Sequence, residues 1–168
     1  MSSENLQGEK ALKKLKDIVN DVNIAMMCTT QKDNSIHSRP MATAGIDNDG
    51  TIWFFTNEGS EKVKEIENDN GLCLCYSEPK NNTYACVMGK AKAVDNKAKE
   101  KELWNPILKA WFPKGLEDPN MTLIKVSPNH AEYWDANDSK MVVFLKIAKA
   151  AITGKSYDAE DSHGEMKL

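Results

Sequence analysis

Residues 51–76 read TIWFFTNEGSEKVKEIENDNGLCLCY: an aromatic strand, a turn through Asn57-Glu58-Gly59-Ser60, a short charged helix and an alternating strand. Ser60 stands where a helix N-cap belongs, and Val63 and Ile66 supply the apolar stripe of the helix it opens. The same turn gathers Thr56, Asn57, Ser60 and Lys62. Two readings of it are open. One is helix capping alone. The other is an anion site, because backbone N–H groups at a helix start attract phosphate.

Outward from this stretch the pattern is mostly strand. Upstream, Leu12, Leu15, Ile18, Val19 and Val22 recur at three- and four-residue steps, which predicts an amphipathic helix over residues 3–23. NIAMMCTT (23–30) and HSRPMATAGI (37–46) predict strands, the second at an edge or bulge because Pro40 cannot donate to a ladder. The turn DNDG (47–50) leads into the strand at 51–57. Downstream, GLCLCYSEP (71–79), YACVMGKAKAV (84–94) and MTLIKVSPNHAEYWD (121–135) predict three more, the last bent at Pro128. KAKEKELWNPILKAWF (97–112) has a helical period that Pro106 interrupts. SKMVVFLKIAKAAI (139–152) fits strand or helix, and 156–168 predicts a polar, frayed tail. These elements give one mainly β (α+β) domain over residues 1–155, an antiparallel barrel of six strands in meander order with flanking helices.

Bulk properties narrow the function classes. The chain has 168 residues, 40% hydrophobic and 28% charged, enough for one domain with a real core. A formal charge of −3 argues against general nucleic-acid binding. No apolar run is long enough to span a bilayer, and MSSENLQGEKALKK lacks a signal peptide's apolar core, so the expected compartment is cytoplasmic, with no membrane partner. Cys73 and Cys75 share a strand face, but Cys-x-Cys spacing and the three histidines do not fit a zinc site. No metal is expected, and the four cysteines are read as buried free thiols, Cys73 and Cys75 unbridged.

Arginine is scarce: the chain has 21 lysines and a single arginine, Arg39. Its planar fork holds phosphate or carboxylate in a way lysine cannot. Arg39 lies on the second strand, and Thr56, Ser60 and Lys62 end the third, so a hairpin joining them would set the arginine against the turn. Phe55, Tyr84, Trp111 and Trp134 could cover a flat ring system, although large aromatics more often fill cores. His37 and His130 read as ordinary surface histidines. No dinucleotide fingerprint, Walker loop or His-Glu-x-x-His motif is present, and Gly154-Lys155-Ser156 lacks the upstream glycine of a Walker loop.

Four pieces in order resemble the pyridoxamine-phosphate-oxidase-like split barrels. They are HSRPMATA (37–44), residues 51–76, YACVMGKAKAV and PNHAEYWDA (128–136). LWNPILKAWFPKGLEDP (103–119) looks more specifically like the general stress protein 26 branch. The likeness covers about residues 10–136. It implies a split barrel that forms a homodimer, with flavin mononucleotide (FMN) bound in two clefts between subunits. By resemblance, Arg39, Ser60 and Lys62 take phosphate-side roles. Met41, Thr43, Phe55, Thr56 and Asn57 line ribityl and ring, Tyr84 stands where the oxidase uses a glutamine, and Trp134 matches its late tryptophan; Trp111 joins the cofactor set as one of the aromatics that could cover the ring.

This sequence also departs from the oxidase. Glu61 replaces an arginine of the phosphate grip, and Ala44 replaces a basic residue. Asp135-Ala136-Asn137-Asp138 stands where paired arginines help bind vitamin substrate. These departures argue against pyridoxamine 5'-phosphate oxidase activity. The reading favoured is an FMN-binding homodimer of the stress-protein type, an oxidoreductase on an unidentified small substrate with no catalytic residue assigned. The alternative is a module that carries or senses FMN, FAD or a deazaflavin without turnover.

Overall fold

The computed structural model describes residues 6–135 and 163–168. In chain order the elements are β1 (Leu6–Gln7), α1 (Gly8–Val22), β2 (Ile24–Thr30), β3 (Ile36–Ala42), β4 (Gly45–Ile46) and β5 (Ile52–Asn57). Then come α2 (Glu61–Asn68), β6 (Gly71–Glu78), β7 (Thr83–Val94), α3 (Lys97–Leu103), two 3-10 turns (Pro106–Ala110 and Gly115–Glu117), β8 (Met121–Asp135) and β9 (His163–Lys167). The expected mainly β barrel with flanking helices is present. The strand-or-helix question at 139–152, the boundary at 155 and Gly154-Lys155-Ser156 lie outside the described residues.

Strand order is β1-β9-β8-β7-β6-β2-β3; β5 shares with β9 the edge of β8 opposite β7, and β4 pairs with β5. The expected meander is therefore corrected: β2 pairs with β6 across four intervening elements, and β5 leaves β3 to pair with β8. The physical reason is visible in β5. All of Ile52–Thr56 is buried, so this strand needs cover on both faces, and its place beside β8 lies between two apolar clusters. The barrel core covers one face with Ile52 and Phe54; a second cluster covers the other, where Trp53 and Phe55 meet Phe112, Leu103, Trp104 and Leu108.

The six expected strands become nine among the described residues, and one pairing, β1 with β9, is parallel. HSRPMATAGI breaks at Thr43-Ala44 into β3 and β4. The tail at 156–168, expected to fray, carries β9, which pairs with both β1 and β8. Its polar composition concealed an alternation, since Gly164 and Met166 are buried while His163, Glu165 and Lys167 are half-buried or exposed. α1 lays Ala11, Leu15, Ile18 and Val19 on the barrel and stops at Asn23, whose left-handed backbone (φ 59°) returns its N–H to Val19 O at 3.1 Å. Among the described residues, no helix is long and apolar enough to cross a membrane.

Candidate functional site

Where β3 ends, β5 ends and α2 begins, the barrel rim opens into a cleft of about 620 Å³. One wall is the β3–β4 connection (Pro40 to Ala44), and the floor is Phe55, Thr56 and Asn57. The far wall is the segment after α3, with Ile107, Leu108 and Trp111 at its edge. Phe55 is fixed from below, edge-on to Trp104 with centroids 6.2 Å apart and tilted against Phe112 at 6.4 Å. Trp111 and Ile107 are each 68% exposed at the mouth, an uncommon state for side chains of that size.

The polar end of the cleft lies at the start of α2. Lys62 Nζ donates to Thr56 Oγ1 at 3.2 Å, and the hydroxyls of Thr56 and Ser60 are 3.3 Å apart. Ser60 has N-cap backbone geometry (φ −71°, ψ 151°), yet its side chain makes no capping hydrogen bond. Capping alone thus leaves the hydroxyl unexplained: it is turned to Thr56 and away from the helix amides. Burial pushes the Lys62 ammonium below its usual range, and the nearby Arg39 charge pushes in the same direction against a smaller pull from Glu65. An anion here would relieve that repulsion.

Arg39 stands behind this end, among a buried polar network. Its guanidinium donates to Thr29 Oγ1 and, at 2.5 Å, to Glu65 Oε2. Thr29 in turn donates to Glu65 at 2.6 Å, and His37 Nδ1 lies 3.1 Å from the other carboxylate oxygen. His37, read from sequence as an ordinary surface residue, is thus part of this network. Burial alone would raise the Glu65 carboxyl, but hydrogen bonds from Thr29, His37 and Arg39, with the Arg39 charge, hold it down at about 2. The β3–β5 hairpin expected to join Arg39 to the turn is not formed, because β4 takes the place beside β5. Arg39 nevertheless comes close to Lys62 through α2, which carries Glu65 on the face that packs on β2.

Of the residues singled out in the sequence, Met41, Thr43, Phe55, Thr56, Asn57, Lys62 and Trp111 line one cleft. Ser60 and Arg39 adjoin it through Thr56 and Lys62. Tyr84 and Trp134 do not line it. They are cross-strand partners on β7 and β8, and Trp134 lies about 40 Å of strand contour from Thr122, the partner of Thr56. Trp134 stacks on His163 of β9, with centroids 5.0 Å apart. Sequence reasoning missed Glu65 and Thr29, which no spacing links, and the lining residues Leu103, Asn105, Ile107 and Leu108. The last group sits within the motif LWNPILKAWFPKG, but nothing local shows that it folds back over β5.

The lining suits a flat aromatic system ending in an anion: an apolar slot of Met41, Phe55, Leu108 and Trp111 leads to one ammonium, two hydroxyls and an uncapped helix start. Fold and site together define a split barrel with a small-ligand cleft at its rim. A sequence model described as "Pyridoxamine 5'-phosphate oxidase like" matches residues 10–158. The chain belongs to that family.

Its relatives include Protein bli-3 of Neurospora crassa, 29% identical over 141 residues, covering 78% of this chain and 68% of the relative. The general stress FMN/FAD binding protein from Xanthomonas citri superposes with a TM-score of 0.66 at 26% identity, over 77% of this chain and 90% of that one. General Stress Protein 26 from Bacillus anthracis gives 0.66 at 25%, over 73% and 92%.

Proposed function

We propose that this protein is an FMN-binding homodimer whose flavin carries out redox chemistry on a small substrate. The observation that supports this most is the junction, within one cleft, of an apolar slot with a single cationic, hydroxyl-lined helix start. That pattern matches a ring at one end and one phosphate at the other. The isoalloxazine would lie against Phe55, Met41 and Trp111, and the phosphate would sit by Thr56, Ser60, Lys62 and the α2 amides. Arg39 would join the phosphate by exchanging its hydrogen bond to Glu65 for one to the ligand. FMN, with one phosphate, fits this single cationic end without further partners. The flavin supplies hydride or electron transfer; the chain's own residues bind it, orient it and exclude water.

The experiment compares FMN with riboflavin, which lacks the phosphate. Lys62→Ala and Arg39→Lys should each weaken FMN about ten- to a hundredfold, the loss of one charge-assisted hydrogen bond of roughly 1.5–3 kcal/mol. Riboflavin should bind all three proteins nearly equally. Fluorescence titration reads both ligands, and equal losses for both would place the phosphate elsewhere.

One observation favours the carrier reading. Among the described lining residues, Lys62 is the single ionisable side chain, so the cleft offers no carboxylate or imidazole for proton transfer. Addition of NADH or NADPH to the flavin-loaded protein separates the two. Reduction faster than that of free FMN marks an oxidoreductase, and its absence marks a carrier or sensor of FMN, FAD or a deazaflavin.

A further inference from the structure

All four cysteines of the chain stand on the outward face of three adjacent strands, half-buried rather than in the core as expected. Register sets Cys28 opposite Cys73 and Cys73 opposite Met88 in one row across β2, β6 and β7. In the next row Met26 stands opposite Cys75, and Cys75 opposite Cys86. Residues two apart on a strand share a face, so six sulfur side chains form a two-by-three grid. Within it three thiols converge. The sulfurs of Cys73 and Cys75 are 3.7 Å apart, those of Cys75 and Cys86 are 3.8 Å apart, and all three lie within 4.8 Å of one another. Cys28 is engaged elsewhere, donating to Ser38 Oγ at 3.4 Å.

Ordinary packing accounts for soft, apolar Cys and Met side chains on a half-covered face. It does not require three thiols to share one centre. Three sulfurs bonded to one ion at about 2.3 Å in a trigonal plane would stand about 4 Å apart, close to the spacing here. Structural zinc sites take four nitrogen or sulfur ligands, whereas the converging set has three thiols and no imidazole. The fourth corner of the square is the Met88 thioether, a ligand that, like thiolate, selects Cu(I). The Cys-x-Cys spacing that argued against a metal in the sequence shows only two of the ligands. The third arrives across the strand.

We propose that Cys73, Cys75 and Cys86, with Met88 beside them, form a binding site for a thiophilic monovalent ion of the Cu(I) class. Three S–H protons leave as three Cu–S bonds form, and copper remains Cu(I), so no electron is transferred. Among the described residues, the charged and titratable neighbours on the adjoining strands are Glu132 opposite Cys86, His130 opposite Met88, and Lys90, two positions beyond Met88. The site is complete within one chain and needs neither flavin nor a second copy.

The test is an anaerobic Cu(I) titration of the full chain against a chromogenic Cu(I) chelator, with and without excess Zn²⁺. One Cu(I) per chain is expected, with an all-sulfur first shell in X-ray absorption. Cys75→Ser and Cys86→Ser should each weaken binding by more than the roughly 10- to 100-fold typical of outer-shell changes, while Cys28→Ser leaves it nearly unchanged. Thermal melting of each variant reports folding, and the two ligand variants serve as checks on one another. Binding that survives both substitutions, displacement by Zn²⁺, or failure to compete with the chelator would each overturn the proposal.

Discussion

Glu65 receives hydrogen bonds from Thr29, Gln31 and Arg39, with His37 beside it, and its side chain is 9% exposed. A carboxylate held this way is a stability determinant with a known sign. Its folded pKa, about 2, lies below the ordinary 4.5, so its contribution is complete above about pH 4.5 and is lost as the pH falls toward 2. Between pH 6 and pH 3 the wild type should lose roughly 1 kcal/mol more than Glu65→Gln, about half of the full linkage value over that range, the rest being screened at the rim. Urea unfolding of both proteins at the two pH values measures this. Parallel losses would mean that the network does not couple to folding. The same network engages the Arg39 fork inside the protein, on Thr29 and Glu65.

At the scale of elements, the β7–β8 ribbon positions everything else. It carries the Tyr84–Trp134 pair at one end and supports β5 at the other. Between these the register shifts at Met88/Gly89: Met88 pairs with His130 and Gly89 with Pro128, leaving Asn129 of β8 without a partner in the β7–β8 register. Gly89 is required there by contact: a Cβ would lie 2.5 Å from Ser127 O and 2.9 Å from Pro128 Cα, both backbone atoms that cannot swing aside. Gly89→Ala should therefore cost about 2–3 kcal/mol and lower Tm by about 5–10 °C. A thermal melt within a degree of the wild type would show that the bulge relaxes freely. In the sequence Gly89 lies within YACVMGKAKAV, and only the paired strand explains it.

At the scale of the whole molecule, one chain leaves large apolar side chains open to solvent. Trp111 and Ile107 are exposed at the cleft mouth, and Tyr84 (38% exposed) and Trp134 lie far from that cleft on the same chain. In the proposed homodimer, the Tyr84–Trp134 pair of one copy covers the cleft of the other. Complementation tests this directly. Lys62→Ala and Trp134→Ala should each lose FMN binding alone. After unfolding together in equal amounts and refolding, about a quarter of the sites should recover, since half the dimers are hybrids with one intact cleft. No recovery would mean that each cleft is built from one chain, and a monomer in sedimentation would agree with that result.

By itself the sequence determined the element types, the apolar faces and the chemistry gathered at Thr56–Lys62, because periodicity and turn residues act within a few positions. Thr56, Asn57 and Lys62 were legible for that reason, as neighbours in one turn, whereas Met41 and Thr43 came only through the resemblance to the split-barrel family. Tertiary structure alone decided that β5 pairs with β8, that residues 103–112 wall the cleft, and that His163–Lys167 is a strand. It also decided that Glu65 holds Arg39 and that Cys86 joins Cys73 and Cys75. Each of these rests on contacts between residues far apart in the chain. Such contacts are selected by whole-molecule burial: a strand apolar on both faces must find two covers, and local sequence does not say which segments provide them.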